Sequence, residues 1–179
     1  MIDFSTNYCL NDLNLINFVN LTEQQKTYIH SMRNHEDVRS WMLHDEPIDL
    51  ADHLRFCKRL ETDRNCIYYL VRRKNADLGV IYITGIDLSN RNGFLGIYAN
   101  PFLREIGHKG TFCMQALDFL AFPIVGLHTL KLEVLENNYR AIGLYIKSGF
   151  AEEGRLKEFV PRNGSWVDML FMGKRNAAE

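Results

Sequence analysis

The sequence carries no excess of charge of either sign: 21 Lys and Arg stand against 22 Asp and Glu, a formal net charge of −1. Domains that bind nucleic acid by neutralising phosphates are usually strongly basic, so that class is set aside. No apolar run approaches the roughly 20 residues of a membrane-spanning helix. The longest, Phe119 to Leu127, is broken at Pro123. Met1-Ile2-Asp3 lacks the basic and apolar regions of a signal peptide, which makes a cytoplasmic protein the expectation. Internal repeats, low-complexity stretches and Pro/Gly/Ser-rich linkers are also missing. The cysteines Cys9, Cys57, Cys66 and Cys113 form no C-x-x-C pair, and no histidine stands at metal-ligand spacing from them. No metal is expected, and the thiols read as free and at least half-buried.

What is present fits an ordinary folded domain, with 46% apolar and 24% charged residues over 179 positions. One domain over residues 1–175 is expected, with Asn176-Ala177-Ala178-Glu179 as a tail. A chain of this size buries roughly 70% of its unfolded surface, enough for a core without disulfide or metal.

Phe4 to Leu10 reads as a short first strand. Thr22 is placed to cap a helix carrying Tyr28, Ile29 and Met32, and a break at Asn34-His35 leads to a helical turn with Val38, Trp41 and Met42. After Pro47, Asp49 is expected to cap an amphipathic helix with Leu50, His53, Leu54, Cys57 and Leu60 on one face. Strands follow at Cys66 to Val71, Leu78 to Ile86 and Phe94 to Ala99, an antiparallel meander joined by tight turns. A helix is predicted from Thr111 to Phe122, an alternating strand from Leu130 to Leu135, and a short helix from Tyr139 to Lys147. Phe150 to Val160 and Ser165 to Met172 form a closing hairpin. The order β-α-α-β-β-β-α-β-α-β-β describes an α+β fold with a mixed, mostly antiparallel sheet flanked by helices. An exposed strand in the last hairpin suits edge-to-edge pairing, so a homodimer is allowed.

Two segments carry chemistry. In the first, the strand Gly96-Ile97-Tyr98-Ala99-Asn100-Pro101 hands over to Arg104-Glu105-Ile106-Gly107-His108-Lys109-Gly110-Thr111. A glycine-containing loop opening onto a helix N-terminus offers free N–H groups and a positive dipole end to an anion. The second is Asn138-x-x-Ala141-x-x-Leu144-Tyr145-x-Lys147-x-Gly149-Phe150. Together, in this order, they resemble the signature of the GCN5-related N-acetyltransferase superfamily, and the order of elements matches that family's fold.

The resemblance implies acetyl-CoA as co-substrate and direct transfer of acetyl to an amine, with no covalent enzyme intermediate. It assigns cofactor binding to Ile97, Tyr98, Arg104, Gly107, Lys109, Gly110, Thr111, Asn138, Arg140 and Lys147. A backbone N–H at Ile97-Tyr98 is expected on the acetyl carbonyl, where charge develops. Tyr145 matches the family's tyrosine beside the CoA sulfur, a general acid; the alternative is a core aromatic. Asn138 matches a cofactor contact, against simple helix capping. The loop departs from the family's Gln/Arg-x-x-Gly-x-Gly/Ala: Lys109 stands where a small residue is usual, and Gly110 lies one further on. An insertion or a register shift follows. Separately, Lys131 and Glu133 share the face of their strand opposite Leu130, Leu132 and Val134. If that face lines a cleft, Glu133 is placed to take an acceptor's proton through a water; otherwise it faces solvent.

The N-terminal half carries Arg33-Asn34-His35-x-x-x-x-x-Trp41-Met42 and Asp49-x-x-x-His53-Leu54-x-Phe56. With Tyr98-x-Asn100-Pro101-Phe102-Leu103, Gly154-Arg155-Leu156-Lys157 and Glu133-Val134-x-Glu136-Asn137-Asn138, these resemble the sugar-nucleotide N-acetyltransferases of pseudaminic acid biosynthesis. That implies a UDP-linked 4-amino-4,6-dideoxy-N-acetyl-altrosamine as acceptor partner, acetylated at its 4-amino group. Arg33, His35, Trp41, Met42 and His53 are the candidate acceptor contacts: Arg33 for phosphate, Trp41 and His35 for uracil or the deoxysugar methyl. Core packing of Trp41-Met42 and an ion pair of Arg33 with Glu36 or Asp37 are the plain alternatives. An enzyme acting on protein N-termini and a non-catalytic CoA-binding module remain as rival functions.

Overall fold

The computed structural model describes residues 3–177. Met1, Ile2 and the tail residues Ala178 and Glu179 lie outside the described residues. Asn176, expected in the tail, still belongs to the sheet region: its N–H donates to the His128 carbonyl at 2.8 Å.

The chain opens with a hairpin, β1 (Tyr8–Leu10) and β2 (Leu13–Asn17), instead of the single expected strand. β2 escapes a reading by composition because Leu13-Asn14-Leu15-Ile16-Asn17 mixes apolar residues with asparagines. In the fold Leu13, Leu15 and Asn17 share the buried face. The buried Asn17 amide is satisfied, donating to the Phe4 carbonyl at 2.9 Å and accepting from Val19 N–H at 3.1 Å. α1 (Glu23–Asn34) starts in a capping box: Thr22 Oγ1 accepts from Gln25 N–H and Gln25 Oε1 accepts from Thr22 N–H. α2 (Glu36–Arg39) is one turn, and α3 (Leu50–Arg59) follows. Asp49 sits at the start of α3, but its side chain makes no capping bond, and Leu50 is exposed while His53, Cys57 and Leu60 are buried.

β3 (Ile67–Arg73), β4 (Ala76–Asp87) and β5 (Asn92–Ala99) form the expected meander. α4 (Lys109–Phe119) begins two residues before Thr111 and runs into a wider turn over residues 120–124. Pro123, which has no N–H to give, sits within that turn. β6 (Thr129–Leu135), α5 (Tyr139–Lys147), β7 (Ala151–Arg162) and β8 (Ser165–Arg175) complete the chain. Asn163 and Gly164 both take positive φ between β7 and β8, as a two-residue hairpin turn of this hand requires.

All eight strands join one sheet in the order β1-β2-β3-β4-β5-β6-β8-β7. Both faces are covered. Leu70 and Val80 pack with Ile29, Met32, Cys57 and Leu60 beneath α1 and α3, while Tyr69, Val71, Ile81 and Ile83 pack with Met114 and Leu117 of α4. That double burial explains why β3 and β4 are apolar almost throughout.

β5 and β6 form the sheet's parallel pair, and they touch only at one end. Pairing runs from Asn92↔Thr129 to Phe94↔Lys131 and then stops, whereas β6 stays paired with β8 as far as Leu135↔Met169. Beyond Phe94 the two strands splay, and the edge of β5 facing β6 is left without a strand partner.

Candidate active site

The splay opens into a cavity of about 980 Å³. Its floor is β5 from Leu95 to Ala99 and the end of β6, one wall is the start of α4 with the start of α5, and the other is the stretch from Asp37 to Leu43. The volume suits a sizeable organic ligand.

The α4 wall is built from backbone. His108 precedes the helix in the left-handed conformation (φ 59°), makes no side-chain cap, and the first turn holds no acidic residue. The first N–H groups of α4 therefore remain unengaged at the cavity edge, where an anion is the natural partner. The left-handed His108, a conformation usually supplied by glycine, accommodates the extra residue between Gly107 and Gly110. A Cβ on Gly110 would come within 2.9 Å of Leu144 Cδ2, so this glycine lets α4 approach α5; Gly107 has nothing within 4 Å.

Lys109 also lines this wall. Its ammonium donates to the carbonyls of Asn100, at 2.7 Å, and Leu103. Burial, together with the charge of Arg140, pushes its pKa below the ordinary lysine value. Lys109 thus ties down the loop from within, while Arg140 lines the cavity as an exposed cation. Arg104 also lines it and pairs with Asp37 at 3.2 Å across the cleft mouth. The loop's other anchor is the buried Asn100, whose amide donates to the Asp77 carbonyl at 2.7 Å and to the Tyr28 hydroxyl at 3.0 Å.

Two candidates for proton transfer meet at the cavity. Tyr145 is only 7% exposed, yet it lines the space, and none of the described hydrogen bonds engages its hydroxyl. Burial, with Tyr82 nearby, pushes the Tyr145 phenol well above the ordinary tyrosine value, so it is held protonated. Glu133 is exposed on β6 and lines the same cavity. Its face-mate Lys131 is engaged by Glu153, while no described ion pair or hydrogen bond involves the Glu133 carboxylate. Asn138 caps α5, accepting from Ala141 N–H at 3.2 Å, and also lines the cavity.

Ile97, Tyr98, Thr111, Trp41 and Met42 reach the cavity as well. Trp41 is 45% exposed, which excludes core packing as its role. Four predicted residues do not line the space. Lys147 is exposed at the far end of α5. His35 caps α2, accepting from Asp37 N–H at 3.2 Å, and meets Phe102 edge-to-face at 5.2 Å. His53 is buried, with Nε2 3.6 Å from Cys57 Sγ and its ring 5.5 Å from His30. Burial, then the neighbouring His30, lowers its pKa and keeps it neutral. Arg33 makes no ion pair with Glu36 or Asp37; it donates to the His44 carbonyl at 3.2 Å, and its buried Nη1 has no partner. Its charge lies beside the phenols of Tyr82 and Tyr98, just behind the cavity floor.

Tyr82 is the site residue the sequence reading missed. It faces Gly96 across β4 and β5, and a Cβ on Gly96 would overlap the Tyr82 ring. The ring stacks on Tyr68 at 4.7 Å and forms part of the cavity surface. The available signal was a glycine inside a strand, which marks a close approach. Leu43, Thr84 and Met169 reach the cavity too, carrying no chemical motif. Among the described residues no group of three or more His, Cys, Asp or Glu is placed to hold a metal ion, and no helix is long and apolar enough to cross a membrane.

No protein-family model matches the chain. It is 32% identical over 147 residues to acetyltransferase PseH of Campylobacter jejuni, covering 82% of this chain and 90% of that protein. It is similar to the crystal structure of spermidine N-acetyltransferase from Vibrio cholerae in complex with CoA and spermine, with a TM-score of 0.81 and 25% identity over 93% of this chain and 96% of the other. It is similar also to the Campylobacter jejuni N-acetyltransferase PseH in complex with acetyl coenzyme A, with a TM-score of 0.71 and 26% identity over 92% and 99% of the two chains.

Proposed function

We propose that this chain, which belongs to the GCN5-related N-acetyltransferase superfamily, uses acetyl-CoA to acetylate the 4-amino group of a UDP-linked 4-amino-4,6-dideoxy-N-acetyl-altrosamine, a step of pseudaminic acid biosynthesis. The observation that carries the acceptor class is the charge of the cleft. Its acidic lining residues are Asp37 and Glu133, and Asp37 is already paired with Arg104. A polyamine acceptor with several positive charges calls for several free carboxylates. A cleft with Arg140 on one wall, and with the Arg33 guanidinium behind Tyr82 and Tyr98, suits an anionic acceptor instead.

The residues present fit the co-substrate. The bare N-terminus of α4, with Arg140 beside it, would hold the pyrophosphate, and Gly110 lets α4 and α5 close around it. When bound, acetyl-CoA supplies an activated acetyl thioester. An unpaired N–H at Ile97-Tyr98 would stabilise charge developing on the acetyl oxygen. Glu133 would draw the proton from the acceptor ammonium through a water, leaving a neutral nucleophile. Tyr145, held protonated, would give its proton to the departing sulfur, and the second proton shed by the acetylated nitrogen would restore the phenol by way of solvent.

The second reading, spermidine acetylation, rests on the TM-score of 0.81 to the Vibrio cholerae enzyme. Release of free thiol from acetyl-CoA, measured with a panel of 4-amino sugar nucleotides, spermidine and short peptides, separates the readings. Turnover is expected with the sugar nucleotide. Turnover with spermidine or peptide alone overturns the acceptor assignment while leaving the acetyltransferase intact.

A further inference from the structure

The stretch between α2 and α3 puts Trp41, Met42 and Leu43 on the cavity wall, and its carbonyls are held by guanidinium groups from three different elements. Arg33 on α1 donates to the His44 carbonyl at 3.2 Å. Arg39, at the end of α2, donates to the Asp45 carbonyl at 2.8 Å. Arg162, the last residue of β7, donates through Nη2 to the Met42 carbonyl and, at 3.0 Å, to the Leu43 carbonyl. Its Nη1 lies 3.8 Å from the Asp45 carboxylate and donates to the Pro161 carbonyl at 3.0 Å. Four consecutive carbonyls are thus met by three arginines.

Arg162 differs from the other two. Arg33 and Arg39 are close in sequence to the loop they hold, whereas Arg162 comes from 120 residues away, on the strand at the opposite edge of the sheet from β1. Its side chain is only 13% exposed, and its buried Nε has no partner. A guanidinium held out of water with one donor unmade is unfavourable unless its remaining bonds secure something else. What they secure is the backbone of Met42 and Leu43, the residues whose side chains reach the cavity.

We propose that Arg162 is a positioning residue: it straps the loop over residues 41–45 to the β7–β8 hairpin and thereby sets the wall that faces the acceptor. It is not among the cavity-lining residues and acts through Met42 and Leu43. A lysine ammonium could serve the Met42 and Leu43 carbonyls but could not hold Pro161 and Asp45 from a second nitrogen as the guanidinium does, so lysine restores the strap only in part. Without the strap the loop samples open arrangements, and acceptor affinity falls by the fraction of time the wall is in place. The α4 wall, which makes no contact with Arg162, is untouched. That the occupant of this end is the acceptor rests on the function proposed above.

The test pairs Arg162→Gln with Arg162→Lys. Chymotrypsin applied to the ligand-free protein reads the loop directly, since Trp41, Met42 and Leu43 are its target types. Cleavage there is expected to be faster in R162Q than in the parent and intermediate in R162K; equal rates in all three overturn the strap. Steady-state kinetics then read the wall. The acceptor KM should rise roughly tenfold in R162Q, the response to a loop competent about a tenth of the time, with the acetyl-CoA KM unchanged. An unchanged acceptor KM, or an equal rise in both KM values, overturns the positioning role. If R162Q does not fold, R162K carries both comparisons against the parent. If the parent acetylates spermidine and no sugar nucleotide, the substrate reading falls, and the same KM split is read on spermidine.

Discussion

Around the α4 wall of the cleft the chain offers mainly backbone, whereas the wall beneath α1 to α3 offers side chains. The contrast is visible in how helices begin. α1 has a capping box and Glu23 in its first turn, and α2 has His35 as cap with Glu36 and Asp37 behind it. Those N-termini are satisfied within the protein. α4 has neither a side-chain cap nor an acid, so its N–H groups stay available at the cavity. A helix start completed internally serves the fold, and one left without cap or acid is open to an anion. The opposite wall, made of Trp41, Met42 and Leu43 with Tyr82 and Tyr98 on the adjoining floor, must be held in shape by other groups, and arginines do so through loop carbonyls.

Tyr145 and Glu133 belong to neither wall, and altering them gives the largest expected effects. Tyr145→Phe should lower turnover by roughly 10²-fold, the scale of general acid catalysis, with both KM values unchanged. Turnover at the parental level would make Tyr145 a lining residue and nothing more. Glu133→Gln should cost about tenfold at the acid end of a pH–rate profile, a modest loss for general base catalysis. The deficit should close as pH rises, because the acceptor amine then arrives already neutral. A profile of unaltered shape would remove Glu133 as the base.

Smaller effects separate the two walls. Gly110→Ala sets a methyl group 2.9 Å from Leu144 Cδ2, so that the Leu144 side chain or the helix spacing must give way. Overpacking of that kind costs about 1 kcal/mol or somewhat more, and it should raise the acetyl-CoA KM several-fold and leave the acceptor KM alone. Gly143→Ala on α5, with open space around it and outside the cavity lining, is the matched control. A shift in the acceptor KM instead would break the division between walls. The smallest effect concerns His53, buried on α3 beside Cys57 and His30. Its pKa is lowered from 6.5 in the folded state, so the unfolded chain binds a proton that the folded chain refuses. Stability should therefore fall as pH drops below 6.5, by at most about 1.4 kcal/mol per pH unit. Chemical denaturation at several pH values should show that slope, and it should flatten in His53→Phe.

The α4 wall was largely legible because its chemistry is contiguous: Gly107 to Thr111 and Asn138 to Phe150 each form one short run. What the letters did not give is the direction of Lys109, whose ammonium donates to the carbonyls of Asn100 and Leu103. Residue type does not say whether an ammonium turns outward or back onto its own loop. The acceptor side was less legible for the same reason. His53 looks like a binding histidine in a string of letters, but its place four residues from Cys57 on α3 puts it on the buried face. Arg33 was singled out for phosphate, yet its bond goes to the loop at His44. Tyr82 went unnoticed because its partner, Gly96, lies on the next strand.

The sequence by itself determined the α+β class, the meander, the start of α1 and the acetyltransferase signature. Each depends on periodicity, caps or glycines within about one element's length, where neighbouring residues settle the local energetics. Only the tertiary structure decided that β5 and β6 part after Phe94↔Lys131, that Tyr82 lies over Gly96, and that Arg162 reaches Met42. Those contacts join residues tens of positions apart, and their direction is chosen by packing and desolvation once the sheet has formed.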